Sequence, residues 1–248
     1  MSVNRTLPEF PPLRGIFITG TDTDVGKTWV SAGLTAALRR RGVAAVYFKP
    51  VQSGCPEAGG RLVPTDAVFA RRLAGLPESP EVLTPIALRL PLAPGVAAAQ
   101  AGVAVDLEVI AETLRDLAGR YEFFVVEGAG GLYVPLAGLD FLVLDLIRWL
   151  GLPLAVVAKS GLGTINHTVL TVKAAQAAGV NVTGVILNRY PDTPNLAAAT
   201  NPGVIEALTG APILGKLPEV GDLTSPAGRE FFLAAVKPIA EQILGAYG

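Results

Sequence analysis

Gly15-Ile-Phe-Ile-Thr19 runs directly into Gly20-Thr-Asp-Thr-Asp-Val-Gly26-Lys27-Thr28, and this stretch decides the fold. A short apolar run that enters a Gly-rich turn and leaves it at Gly-Lys-Thr reads as strand, turn and helix start. In that context backbone N–H groups and the helix N-terminus hold phosphate oxygens. Lys27 would reach the β- and γ-phosphates of a nucleoside triphosphate, and the Thr28 hydroxyl would bind Mg2+. The usual pattern puts about four residues between its first Gly and the Gly-Lys pair. Here five residues separate Gly20 from Gly26. The plainer alternative is a strand-to-helix turn that binds nothing.

Outward from this loop, short apolar runs alternate with helical periodicity. Thr28 to Arg41 predicts a helix with Val30, Leu34, Ala37 and Leu38 on one face, closed by three arginines and Gly42. Strands are predicted at Ala44–Phe48, Phe123–Val126, Leu154–Ala158, Thr183–Leu187 and Ile213–Leu217. Helices are predicted at Thr65–Ala74, Asp106–Arg120, Leu139–Leu150, Thr164–Ala178 and Phe231–Leu244, the last interrupted at Pro238. The strands are apolar throughout rather than alternating, so both sheet faces are covered. Alternation with helices makes the sheet mostly parallel, with right-handed crossovers. The expected architecture is P-loop NTPase-like α/β, with helices on both faces. Residues 15–248 form one domain behind a short loose tail, 1–14. Ligands of such sheets bind at the carboxyl ends of the strands. Asp22, Asp24, Lys49, Glu127, Lys159 and Asn188 all fall there.

The composition narrows the function. The 248 residues carry 20 basic and 21 acidic side chains, for a net charge of −1. That excludes a broad basic footprint for nucleic acid or anionic lipid. A lone Cys55 excludes a disulfide framework or a Cys-rich zinc site and fits a reducing, cytoplasmic setting. Met1 to Arg14 lack the apolar core of a secretory signal. The longest uncharged stretch, Leu90 to Val105, holds Pro91, Pro94, Gly95 and Gly102 and does not read as a membrane span.

A triphosphate site needs a metal, and Mg2+ prefers hard oxygen ligands. Thr28 offers one. Glu127 ends a buried strand, as a Walker B carboxylate does, and is the second candidate. Asp66 in Pro64-Thr-Asp66 is the third. Asp66 also fits a first-turn helix carboxylate, and Glu127 a solvated strand end.

The loop, with its five-residue spacing, resembles that of dethiobiotin synthetases. Three further segments resemble the same family in order: Lys49-Pro-Val-Gln-Ser53-Gly54, Glu127-Gly-Ala-Gly-Gly131 and Gly161-Leu-Gly-Thr164-Ile-Asn166-His167. The resemblance spans about residues 15 to 220. It implies ATP-dependent conversion of 7,8-diaminopelargonic acid and CO2 to dethiobiotin. An amine traps CO2 as a carbamate, the carbamate attacks the γ-phosphate, and the second amine closes the ring. Catalysis would rest on placement and on charge stabilisation.

The implied roles follow by position. Lys49 and Lys27 are catalytic, neutralising the carbamate and the moving phosphoryl group. Ser53, with Lys49, binds substrate. Asp24, Val25, Gly26, Lys27, Thr28 and Trp29 make the loop contacts to nucleotide. Gly128, Ala129 and Gly130 supply backbone near it. Asn188 reads the adenine edge, with Arg189 beside it, and Pro218-Glu219-Val220 flanks the base. Thr28, Asp66 and Glu127 hold Mg2+. Thr164 and Asn166 serve the substrate of the partner subunit, so a homodimer is implied. Local capping by Thr164 and local packing by His167, the lone His, are the simpler readings of those two. Gly95 stands where the family usually carries His. Glu219 and Asp222 both stand near its acidic nucleotide contact.

Two other readings use the same loop. A partitioning-type ATPase would call for a basic DNA-binding or membrane-binding face. The terminal helix offers only Arg229 and Lys237 and reads as core. A glutamine-dependent amidating ATPase would need a glutaminase domain with Cys and His; a shorter, ammonia-dependent form stays open.

Overall fold

A computed structural model describes residues 6–223 and 225–247. Six parallel strands form the central sheet, in the order Ile213–Pro218, Val182–Tyr190, Leu154–Lys159, Gly15–Gly20, Phe123–Glu127, Ala45–Phe48. Every pairing between neighbours is parallel. Gly15–Gly20, Ala45–Phe48 and Phe123–Glu127 are buried along their whole length. Two apolar layers explain why. One face packs Phe17, Tyr47, Phe124 and Val126 against the helices of that side. The other packs Ile16, Ile18 and Phe123 against Leu34, Phe232, Val236 and Ile239. The chain moves from Gly15–Gly20 to one edge, returns, and then crosses to the other side. Strand order therefore reverses at Gly15–Gly20, and the loops at its carboxyl end part to leave a crevice.

Several element bounds differ from those expected. The helix expected from Leu139 begins at Val143, because Pro135–Ala137 and Phe141–Leu142 pair as an antiparallel ribbon. The Asp145 carboxylate fixes that start by accepting the Leu142 N–H at 2.8 Å. The terminal helix is longer than expected, Pro226–Gly245, and runs through Pro238. Ser225 caps it by accepting the Gly228 N–H, and Pro226 sits in the first turn, where its missing N–H costs nothing. Phe232, Val236, Ile239 and Ile243 bury one face, which carries the helix past Pro238. A helix at Leu196–Thr209, capped by Asn195 and containing Pro202, has no counterpart in the sequence reading. Neither does Pro94–Gln100.

Of the expected tail, residues 1–5 lie outside the described residues; residues 6–14 form no helix or strand and make side-chain and ring contacts with the domain. The Trp149 indole donates to the Pro8 carbonyl at 3.0 Å and Arg115 Nε to that of Glu9 at 2.8 Å. Phe10 meets Trp149 edge-on, with ring centroids 5.2 Å apart. Among the described residues, no helix is long and apolar enough to cross a membrane.

Candidate active site

The phosphate loop takes its shape from two left-handed residues, Asp24 at φ 57° and Gly26 at φ 95°. Gly26 caps the Lys27–Arg40 helix, and no side chain caps that end. The Asn188 amide closes over the loop from near the end of the Val182–Tyr190 strand, the second strand away, and donates to the Val25 carbonyl at 2.9 Å. A Cβ on Gly26 would lie 2.0 Å from that amide nitrogen, so only glycine fits. Lys27 folds back across the loop and donates to the Asp22 carbonyl at 2.9 Å. Burial disfavours its ammonium and lowers its pKa, against the pull of Glu127. An anion of several charges is the natural partner for such a group.

Beside the loop lies a network of charges. Glu127, at the end of its strand, is 1% exposed. Its Oε1 accepts from Thr28 Oγ1 at 2.8 Å and from Lys49 Nζ at 2.9 Å, and its Oε2 accepts from the Tyr47 phenol at 2.9 Å. Lys49 also donates to Asp66 Oδ2. Burial opposes the Lys49 charge, but Glu127 and Asp66 outweigh it and hold its pKa above the ordinary lysine value. Burial, then Glu127 and Asp66, push the Tyr47 phenol well above its usual range. Asp66 opens the Thr65–Ala74 helix, whose start is clamped by Gln52: the amide donates to Thr65 Oγ1 at 2.9 Å and accepts the Asp66 N–H at 3.1 Å.

Lys27, Thr28, Lys49, Gln52, Asp66 and Glu127 line one cleft of about 890 Å3. Of the residues singled out from sequence, Asp24, Gly26, Lys27, Thr28 and Trp29 border it from the loop. Lys49, Ser53 and Glu127 border it from or just past strand ends, Asp66 from the first turn of the Thr65–Ala74 helix, and Ala129, Gly130 and Arg189 from beyond. Trp29 stacks on Phe69, centroids 6.1 Å apart, and both face the cleft. Val25, Gly128 and Asn188 are buried behind it. Pro218, Glu219 and Val220 lie outside its lining, as do Thr164 and Asn166. The Thr164 hydroxyl donates to the Lys159 carbonyl at 2.5 Å, while Asn166 and His167 are exposed. Lys159 and Asp22 are exposed strand-end groups.

The sequence pattern does not single out Tyr47 or Gln52 as site residues. The signal for Tyr47 was a hydroxyl inside a strand buried on both faces, which must find a partner. Gln52 sat in plain view in Lys49-Pro-Val-Gln-Ser53, but its helix-clamping role is a tertiary fact. At Gly95, a Cβ would come 2.2 Å from the Gly138 carbonyl, so the backbone of 138 fills the place where a side chain would begin.

Comparison with known proteins agrees with this geometry. Residues 14–227 match the family described as AAA domain. The ATP-dependent dethiobiotin synthetase BioD of Bacillus licheniformis is 41% identical over 85% of this chain and 88% of its own. That of Bacillus subtilis strain 168 is 42% identical over 86% and 90%, and that of Anaeromyxobacter sp. strain Fw109-5 is 45% identical over 89% and 96%. Among solved structures, the MinC:MinD cell division protein complex of Aquifex aeolicus aligns with TM-score 0.57 at 15% identity, over 94% of this chain and 96% of that one. The MinD of Pyrococcus horikoshii, solved with Mg-ADP, aligns with TM-score 0.54 at 21% identity, over 95% and 98%. Those two share the parallel-sheet fold; the synthetases share, over nearly their whole length, the chain that builds the cleft. With phosphate loop, paired lysines and converging carboxylates in one crevice, the chain belongs to the ATP-dependent dethiobiotin synthetase family.

Proposed function

We propose that the cleft carries out the ligase reaction of this family, joining CO2 to 7,8-diaminopelargonic acid at the expense of ATP and closing the ring to dethiobiotin. The observation that carries this reading is the convergence of Lys27, Thr28, Lys49, Asp66 and Glu127 on one cleft beside the phosphate loop. The oxygens of Thr28, Asp66 and Glu127 are hard donors and fit Mg2+, which would supply charge neutralisation to the phosphates.

The residues divide the work. The loop amides and Lys27 bind the triphosphate. Ser53, which borders the cleft, offers a hydroxyl to the diamine. An ammonium has three donors, and Asp66 and Glu127 take two of those on Lys49. The third is available to an oxygen between carbamate and γ-phosphate. No protein nucleophile is needed: the carbamate oxygen attacks phosphorus, ADP leaves, and the second amine expels phosphate from the carbonyl. Asn188 keeps an amide oxygen for the adenine edge while its N–H holds Val25, with Arg189 at the same strand end and Pro218 to Val220 flanking the base.

A homodimer completes the reading. Thr164 and Asn166 lie outside the cleft of their own chain. They sit beside Leu162, which is 92% exposed, and one helix face from Leu170, 61% exposed. Such an apolar rim fits a second copy of the chain, with 161–166 serving its substrate. The near-neutral charge supports small molecules, rather than nucleic acid or membrane, as partners, and an ATP-consuming biosynthetic role suits the cytoplasm.

The test is phosphate release from Mg·ATP. Release is expected only with bicarbonate and 7,8-diaminopelargonic acid together. Hydrolysis indifferent to both, and stimulated instead by DNA or lipid, would establish a partitioning-type ATPase; dependence on ammonia and a carboxylate would establish an amidating one.

A further inference from the structure

Glu127 is held at three points. Thr28 and Lys49 both donate to Oε1, which alone would leave the carboxylate free to turn about that oxygen. The terminal torsion of a glutamate is broad, so two contacts on one oxygen do not fix its plane. The third contact does. The Tyr47 phenol donates to Oε2 at 2.9 Å, from a side chain that is 0% exposed and lies in the strand next to that of Glu127. Tyr47 pairs with Val125, so its position is set by the sheet itself. It lies outside the cleft lining and is placed to act only through Glu127.

We propose that Tyr47 is a positioning residue for the reaction: through Oε2 it locks the Glu127 carboxylate so that Oε1 faces Thr28, Lys49 and the metal of the bound nucleotide. This rests on the reading of Glu127 as a Mg2+ ligand. Partners of ligating carboxylates tune metal affinity by roughly 10–100-fold. A tyrosine that merely satisfied its own buried hydroxyl would affect stability and leave metal-linked binding unchanged.

Tyr47→Phe removes one oxygen and keeps the ring. Affinity for a non-hydrolysable ATP analogue is measured by calorimetry with Mg2+ and with EDTA, in the parent, Tyr47→Phe, Glu127→Gln and the double variant. Tyr47→Phe is expected to cut the tightening due to Mg2+ by about tenfold while leaving affinity in EDTA unchanged. On the Glu127→Gln background the same change is expected to do nothing, since the two act as one unit. Equal losses on both backgrounds, or no loss of Mg2+-linked affinity in Tyr47→Phe, would overturn the proposal. Should Glu127→Gln itself leave that affinity intact, the metal assignment falls and takes Tyr47 with it; loss in Glu127→Gln but not in Tyr47→Phe removes Tyr47 alone. If the Phe variant does not fold, Tyr47→Met, an adaptable apolar filler, is read in the same way.

Discussion

Lys49→Ala is expected to lower kcat by about 10³-fold, the range seen when one donor to a developing oxyanion is removed. The ammonium sits between Asp66 and Glu127, so its loss acts twice. In the proposed reaction the moving phosphoryl group loses its counter-charge, and the almost fully buried Glu127 loses its cation. Breaking a buried pair by removing one partner costs about 3 kcal/mol or more. The variant should therefore melt at lower temperature as well as turn over slowly, while circular dichroism shows the fold retained. The pH dependence has a definite sign. The Lys49 pKa is raised above the ordinary lysine value of 10.5, so its stabilisation is complete below that pH and is lost only as pH rises through the higher folded value. Across the neutral to mildly alkaline range the stability gap between variant and parent should stay constant. Turnover within a few-fold of the parent would remove Lys49 from the mechanism.

Gly26→Ala should cost about 100-fold in nucleotide affinity, because the loop relaxes out of the shape that presents its amides to phosphate. Two effects combine. An alanine at φ 95° carries strain of about 1–2 kcal/mol. Its Cβ would also strike the Asn188 amide, 2.0 Å away, and push it off the Val25 carbonyl. That buried hydrogen bond is worth about 1 kcal/mol or more when lost. Gly42 supplies the control. It too has positive φ, at 83°, but nothing lies within 4 Å of its Cβ position. Gly42→Ala should lose a similar amount of strain energy from stability and bind nucleotide as the parent does. Equal affinities for the Gly26 and Gly42 variants, measured by calorimetry, would show that Asn188 does not shape the loop.

What the sequence disclosed, and what it hid, follows from range. The phosphate loop was legible because its geometry lies within a few consecutive residues and its Gly-Lys-Thr has a local cause. The sheet was legible because strands such as Phe123–Glu127 are apolar on both faces, a pattern only a doubly covered sheet requires. Leu196–Thr209 was hidden behind Pro202, although Asn195 before it and Gly210 after it are ordinary cap residues. The terminal helix begins five residues before the expected Phe231, because its start is set by the Ser225 cap and first-turn Pro226 rather than by the apolar periodicity that opens at Phe231. At the site, Lys49, Asp66 and Glu127 could each be named from the chain. That one ammonium bridges both carboxylates could not, because 17 and 78 positions separate them from Lys49. Tyr47 and Gln52 were hidden for the same reason: each acts on a group brought to it by the sheet.

In the proposed reaction the γ-phosphoryl group passes to a carbamate oxygen rather than to water. A single turnover with 18O-labelled CO2, in unlabelled water and faster than label exchange, tests it directly. Because the carbonyl–oxygen bond breaks at ring closure, one 18O should appear in the released phosphate for each dethiobiotin formed. Phosphate that carries only oxygen from ATP and solvent would mean that water, not the carbamate, takes the phosphoryl group.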